Sequence, residues 1–267
     1  MFLSAIYIYP VKSLGGISLQ SSVAQGRGLL YDRRWMIVDE SNCFVSQRTI
    51  PEMALIGTAL SDEGIELYSK VFPENKIFIP FGINSGESML VNVWSDTCEA
   101  IHFKEEVDSW LSDLLQTSCK LVYMPDSTMR PVEQKFSIND DITSFADGFP
   151  FLLIGNNSLH ELNKRLDNPI SMNRFRPNFV FEGGEPFVED SWDKFYIGDV
   201  LFKAVKPCSR CTMITVNQED ATQGKEPLTA LSKFRKKNNQ VYFGQNLLAI
   251  QLGNVFVGDK ISMLNEG

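Results

Sequence analysis

The feature that most constrains this chain is a succession of short β-branched and aromatic runs, separated by turn residues at near-regular intervals. That rhythm is the signature of a barrel or a sandwich. Residues 2–9 read as a strand stopped by Pro10, residues 17–23 as a second strand, and Gly26-Arg27-Gly28 as a turn. Residues 35–38 and 43–46 flank Asp39-Glu40-Ser41-Asn42 like a hairpin. Further strands are expected at 54–60, 65–68, 77–80, 89–93 and 98–102.

Residues 105–116 form the first convincing helix, because Val107, Trp110, Leu111, Leu114 and Leu115 recur at helical spacing. Residues 124–149 are polar and rich in Asp, Ser and Pro, which reads as a long crossover or linker. The expected division is therefore 1–123 and 124–267. The second part predicts strands at 151–154, 179–181, 200–205, 241–252 and 255–263. It also predicts a helix capped by Asn157 or Ser158 and running through Leu159, Leu162 and Leu166, and a short one at 227–235. The fold class is mainly β with a few helices.

Charge sets limits on function. Net charge is 25 − 33 = −8, which argues against a binder of nucleic acid or anionic membrane, although a local basic pocket is compatible with it. Five cysteines without a disulfide-like framework point to a reducing compartment. The first ten residues have no basic n-region, and no apolar run approaches membrane-spanning length. The expectation is a soluble cytoplasmic protein without a nucleic-acid or membrane partner.

The chemistry concentrates in Lys206-Pro207-Cys208-Ser209-Arg210-Cys211, with Met213 to Val216 expected as a strand after it. Thiolate is a soft ligand suited to a soft or redox-active metal, and a guanidinium offers a planar fork for phosphate. Spacing alone leaves open two packed thiols beside a surface arginine. A zinc site needs more ligands than the scattered Cys43, Cys98, Cys119, His102 and His160 provide.

Three basic loops accompany this segment. Lys12-Ser13 follows the first strand and precedes Gly15-Gly16, the parts of a phosphate cradle. Arg33 and Arg34 open a strand, so one can face a pocket while the other pairs with surface acid. In Arg174-Phe175-Arg176-Pro177-Asn178 the proline is expected to hold Arg176 extended, with Asn178 on the same face. Each spot read alone is equally a solvated turn. No Gly-x-x-x-x-Gly-Lys-Ser/Thr, Gly-x-Gly-x-x-Gly, Gly-x-Ser-x-Gly or His-Glu-x-x-His motif occurs, and two scattered histidines argue against a histidine general base.

Taken in order, Tyr9-Pro10-Val11-Lys12-Ser13, Asp32-Arg33-Arg34-Trp35, Phe175-Arg176-Pro177-Asn178, Cys208-Ser209-Arg210-Cys211 and Phe243-Gly244-Gln245 resemble MOSC-domain proteins. The likeness is narrower to the mitochondrial amidoxime-reducing components and their bacterial relatives. It implies a β-rich MOSC N-terminal barrel-like domain packed on a MOSC barrel-like domain, with a molybdenum cofactor (molybdenum-molybdopterin) between them. It implies Cys211 as the catalytic metal thiolate. It further implies that Lys12, Ser13, Arg33, Arg176, Asn178, Ser209 and Arg210 hold the pterin and its phosphate, an anion site like those for pyridoxal phosphate. The implied activity is reduction of N-hydroxylated compounds, with electrons from a flavin reductase through an iron–sulfur or haem carrier. The rival expectation is a non-catalytic carrier of the cofactor or of sulfur. Asn217-Gln218 stand where the family often has Asp-Pro, and Gly148-Phe149 where it has small hydroxyl residues.

Overall fold

The computed structural model describes residues 1–82 and 86–264, so the last three residues of the expected second part lie outside it. The first half supplies β1 (Phe2–Ile8), β2 (Ile17–Leu19), β3 (Ser21–Gln25), β4 (Gly28–Leu29), β5 (Trp35–Val38) and β6 (Ile56–Leu60). It continues through β7 (Gly64–Ser69), β8 (Lys76–Pro80), β9 (Glu87–Val93), β10 (Asp96–His102), α1 (Glu105–Leu115) and β11 (Lys120–Tyr123). Then come β12 (Arg130–Pro131), β13 (Ile142–Thr143), β14 (Phe151–Gly155), α2 (Asn156–Asn163) and β15 (Phe179–Glu182). The chain ends with β16 (Lys194–Ile197), β17 (Val200–Ser209), α3 (Leu228–Phe234), β18 (Lys236–Lys237), β19 (Gln240–Ala249), β20 (Gly253–Phe256) and β21 (Ile261–Met263). The protein is mainly β, as expected.

One large sheet runs in the order β2-β1-β15-β14-β19-β17-β16-β21, with β18 on β19. Its ends approach each other: Ile261 N–H donates to the Met1 carbonyl, Leu3 N–H to Asp259 and Gly258 N–H to Leu3. The sheet therefore curls around a core of Phe151, Phe179, Phe195 and Phe202. β14 and β15 are parallel, and α2 lies on the crossover joining them. A second sheet, β5-β11-β10-β9, and a third, β6-β7-β8, pack with α1 over Trp35, Leu67 and Leu111. Although they belong to the first half, β1 and β2 lie in the large sheet and β3 pairs with β20. The two halves of the sequence are interleaved in space. Among the described residues, no helix is long and apolar enough to cross a membrane.

Several local expectations change. The strand at 17–23 splits at Gln20 into β2 and β3. Residues 51–55 form a 3-10 turn before β6, and 43–46 contribute only the isolated bridges Val38–Phe44 and Cys43–Asn92. Ser158 does not cap α2; its hydroxyl donates to the buried Glu189 carboxylate instead, and the helix ends at Asn163. Thr212–Thr215 is a 3-10 turn, not a strand. Its β-branched residues serve burial rather than a pleat: Ile214, Thr215 and Val216 are buried, and the Thr215 hydroxyl bonds back to the Thr212 carbonyl.

Candidate functional site

Backbone hydrogen bonds sew the first two basic loops together. Tyr9 N–H donates to the Asp32 carboxylate at 2.8 Å, and Arg33 N–H donates to the Tyr9 carbonyl. Trp35 N–H donates to Pro10, and Lys12 N–H donates to Trp35. The third loop joins through Tyr7 N–H to the Asn178 carbonyl. Ser13, Arg33 and Arg176 all adopt positive φ, at 69°, 49° and 55°. Left-handed turns, not strand alternation, therefore aim these side chains. The extended geometry expected for Arg176 is not what the chain adopts.

Lys12, Ser13, Arg33, Arg176, Asn178, Ser209, Arg210 and Cys211 all line one cavity of about 520 Å³. The sequence separated them by up to 199 positions (211 − 12), and the fold places them around one space. Seven lysines and arginines and three carboxylates share its wall, so the local charge is opposite to that of the chain.

The Tyr9 ring is the centre of the basic wall. The Arg33 guanidinium lies 4.3 Å from its centroid and that of Arg176 lies 4.1 Å away. Arg33 is held by Asp32 at 2.6 Å and donates to the Arg176 carbonyl at 3.1 Å. Burial lifts the Tyr9 phenol well above its ordinary range. Burial also pushes Arg176 down to about 10, with Arg33 adding repulsion, so it remains cationic at neutral pH. Gly16 lets the ring sit there: a Cβ at that position would lie 2.4 Å from Tyr9 Cε1.

Lys12 is committed internally. Its ammonium donates to the Phe145 carbonyl at 2.8 Å and to Asp147 at 2.5 Å, and burial lowers its pKa. Asp147 is exposed at the cavity wall, where partial desolvation opposes its charge, but Lys12 and the Trp94 indole outweigh that and hold its carboxyl well below the usual carboxylate range. Asn178 is committed too: its Oδ1 accepts from Leu152 N–H at 3.1 Å and its Nδ2 donates to the Tyr7 carbonyl at 3.2 Å. It acts as a clip between β14 and β1 more than as a free amide.

The thiol segment leaves the sheet through two register irregularities where β17 meets β19, flanking Lys206 and Pro207. Such bulges re-aim side chains. Arg210 donates through Nη1 to Cys208 Sγ at 2.9 Å and through Nη2 to the Phe175 carbonyl at 2.5 Å. Cys208 is half-buried, while Cys211 is exposed.

Two buried guanidinium nitrogens of cavity-lining residues, Arg176 Nη2 and Arg210 Nε, lack a hydrogen-bond partner among the described residues. Buried guanidinium donors are rarely left unpaired. Anionic oxygens in the cavity would satisfy them, so the donor set fits a phosphate-bearing ligand. Among the described residues, no three His, Cys, Asp or Glu side chains gather as a metal cage. A metal at Cys211 would need its remaining ligands from a cofactor.

Arg130, Arg174 and Asp147 also line the cavity, and sequence reasoning missed their part in it. Arg130 and Asp147 lie in the stretch read as a linker, yet Arg130 is buried, donating to the Ser144 and Ala146 carbonyls and pairing with Asp96. Pro131, Val132, Ala146 and Phe149 of the same stretch line the cavity too, so the stretch is a wall of the site. The outcome for the arginine pair is as expected, since Arg34 turns away to Asp126.

Residues 1–118 match the MOSC N-terminal beta barrel domain and residues 140–262 the MOSC domain. The chain is 31% identical to mitochondrial amidoxime-reducing component 1 of Xenopus laevis, over 97% of this chain and 80% of that one. Identity to the Mus musculus protein of the same name is 30%, over 98% and 82%. Identity to the molybdenum cofactor sulfurase of Oryza sativa subsp. japonica is 29%, over 91% of this chain but only 32% of that longer protein.

Proposed function

Because the chain belongs to the family that joins a MOSC N-terminal beta barrel domain to a MOSC domain, we propose that its cavity holds a molybdenum cofactor and that the holoprotein reduces N-hydroxylated compounds. The observation that carries this reading is the pair of unpartnered guanidinium nitrogens, Arg176 Nη2 and Arg210 Nε, in a basic cavity beside the exposed thiol of Cys211. On this reading Arg176 and Arg210 would hold the cofactor's anionic group through those nitrogens. Arg33 and Lys12 would add positive potential, and Ser13 and Ser209 hydroxyls. Asn178 fixes the loop that carries Arg176, and Cys211 would be the one protein ligand of the metal.

When bound, such a cofactor supplies two-electron removal of oxygen from a weak N–O bond. The chain's own residues bind it, orient it and limit water around it. The Tyr9 ring, 4.3 Å from the Arg33 guanidinium and 4.1 Å from that of Arg176, would limit their motion and shield part of their surface from water. Two electrons and two protons are consumed for each water released. The electrons would come from a flavin reductase through an iron–sulfur or haem carrier. All five cysteines are free thiols, which fits a reducing compartment such as the cytoplasm.

The likeness to molybdenum cofactor sulfurase supports a second reading, in which the exposed Cys211 belongs to a carrier of cofactor or sulfur. The discriminating experiment supplies purified holoprotein with a reduced viologen dye and an amidoxime. Conversion to the amidine, lost in Cys211→Ala, supports the reductase. No turnover across N-hydroxy, N-oxide and S-oxide substrates, with molybdenum bound, favours the carrier.

A further inference from the structure

Cys211 lines two concavities. Besides the cavity it borders a groove of about 420 Å³, which shares Ser209, Arg210 and Cys211 with it. The far wall is α3 and the β18–β19 hairpin, contributing Leu228, Ser232, Lys236 and Gln240. The hairpin closes through Asn238 and Asn239 at φ 49° and 61°, the left-handed pair that suits a tight two-residue turn.

This rim is basic in an acidic chain. Lys233, Lys236 and Lys237 are exposed, and none forms an ion pair among the described residues. Of the nearby acids, Asp190 is neutralised by Arg235 at 2.5 Å, while the Glu226 carboxylate, which accepts from Ala230 N–H at 2.8 Å, sets one negative charge against the three lysines. The chain carries a net charge of −8, so this lysine cluster, whose Lys236 shares the groove with the exposed Cys211, forms a local inversion of its field. Such inversions steer oppositely charged partners to one face.

We propose that this α3–hairpin rim docks the acidic face of a small one-electron redox protein, delivering electrons on the groove side of Cys211. The inference rests on the function proposed above. Each N–O reduction takes up two electrons and two protons and releases one water, so a one-electron carrier must dock twice per turnover. A face set apart from the main cavity lets it do so while substrate stays bound.

The test uses the full-length holoprotein, with a purified acidic [2Fe–2S] ferredoxin as probe and Lys233→Glu/Lys236→Glu/Lys237→Glu as the variant. Binding of oxidised ferredoxin, read by titration calorimetry, requires no turnover. The wild type should bind it at low ionic strength, and the variant about tenfold more weakly with a flatter salt dependence. Ferredoxin-driven turnover should show a raised KM with unchanged dye-driven kcat. Equal binding by both proteins, or none by the wild type, overturns the proposal. Loss of dye-driven turnover in the variant alone also overturns it, by assigning the rim to substrate. Dye-driven silence of the wild type with ferredoxin binding intact defeats the function proposed above and leaves the docking face supported.

Discussion

Arg176→Met should stabilise the ligand-free protein while weakening its hold on anions. Arg176 is 7% exposed and one of its guanidinium nitrogens has no partner among the described residues. Moving its pKa from 12.5 to about 10 corresponds to roughly 3 kcal/mol of destabilisation at about 1.4 kcal/mol per pH unit. Its contact with the Tyr9 ring returns about 1–2 kcal/mol, so replacement by an apolar chain of similar length should yield about 1–2 kcal/mol. The sign follows from linkage. A base whose folded pKa is depressed carries its full penalty below the folded value, and the penalty is relieved as pH rises through 10 towards 12.5. At neutral pH the whole effect is present. Thermal unfolding of the ligand-free variant should shift upward by about 2–4 °C per kcal/mol. Affinity for pyrophosphate should meanwhile fall by roughly one to two decades, the cost of about 1.5–3 kcal/mol for a charge-assisted hydrogen bond. A ligand-free variant that unfolds earlier than the wild type refutes the reasoning, because Arg176 would then be a structural cation rather than one waiting for a ligand.

Cys211→Ala should abolish both bound molybdenum and dye-driven activity. Cys208→Ala frees Arg210 Nη1 from its 2.9 Å contact and should reduce activity by no more than about tenfold; metal analysis and turnover on both variants check this. Asp147→Asn should cost about 1 kcal/mol, kept small because that carboxylate is 67% exposed and solvent screens it. Its folded pKa is depressed, so the contribution is present above about 3.8 and is lost as pH falls below it. The unfolding gap between variant and wild type should therefore close only in acid. Gly16→Ala drives a Cβ into the clamped Tyr9 ring and should cost about 1–3 kcal/mol, with weaker pyrophosphate binding. Calorimetry showing unaltered affinity would separate the ring from the anion site.

The strand rhythm was legible because alternation and turn residues are local signals, and so was α1, whose Val107, Leu111 and Leu115 are buried. Lys12, Arg33, Arg176, Arg210 and Cys211 were legible as candidates because they sit in loops where cations and thiols stand out, and the fold brings them to one cavity. How they are aimed was not. Positive φ at Ser13, Arg33 and Arg176 is set by hydrogen bonds between loops far apart in sequence, which no local pattern records. The same holds for residues 124–149. Their polar composition reads as a linker because Asp96, which pairs with Arg130, and Lys12, which pairs with Asp147, lie elsewhere in the chain. The committed amides of Asn178 could be seen only once β1 and β14 were side by side.

The most direct test of the central claim is the molybdenum content per chain of wild type and Arg176→Met, purified in parallel from a cofactor-competent host. The account predicts stoichiometric metal, with matching pterin fluorescence, in the wild type and a marked loss of both on dilution of the variant. A wild type free of molybdenum, or a variant that retains it equally well, would contradict the assignment of this cavity to the cofactor.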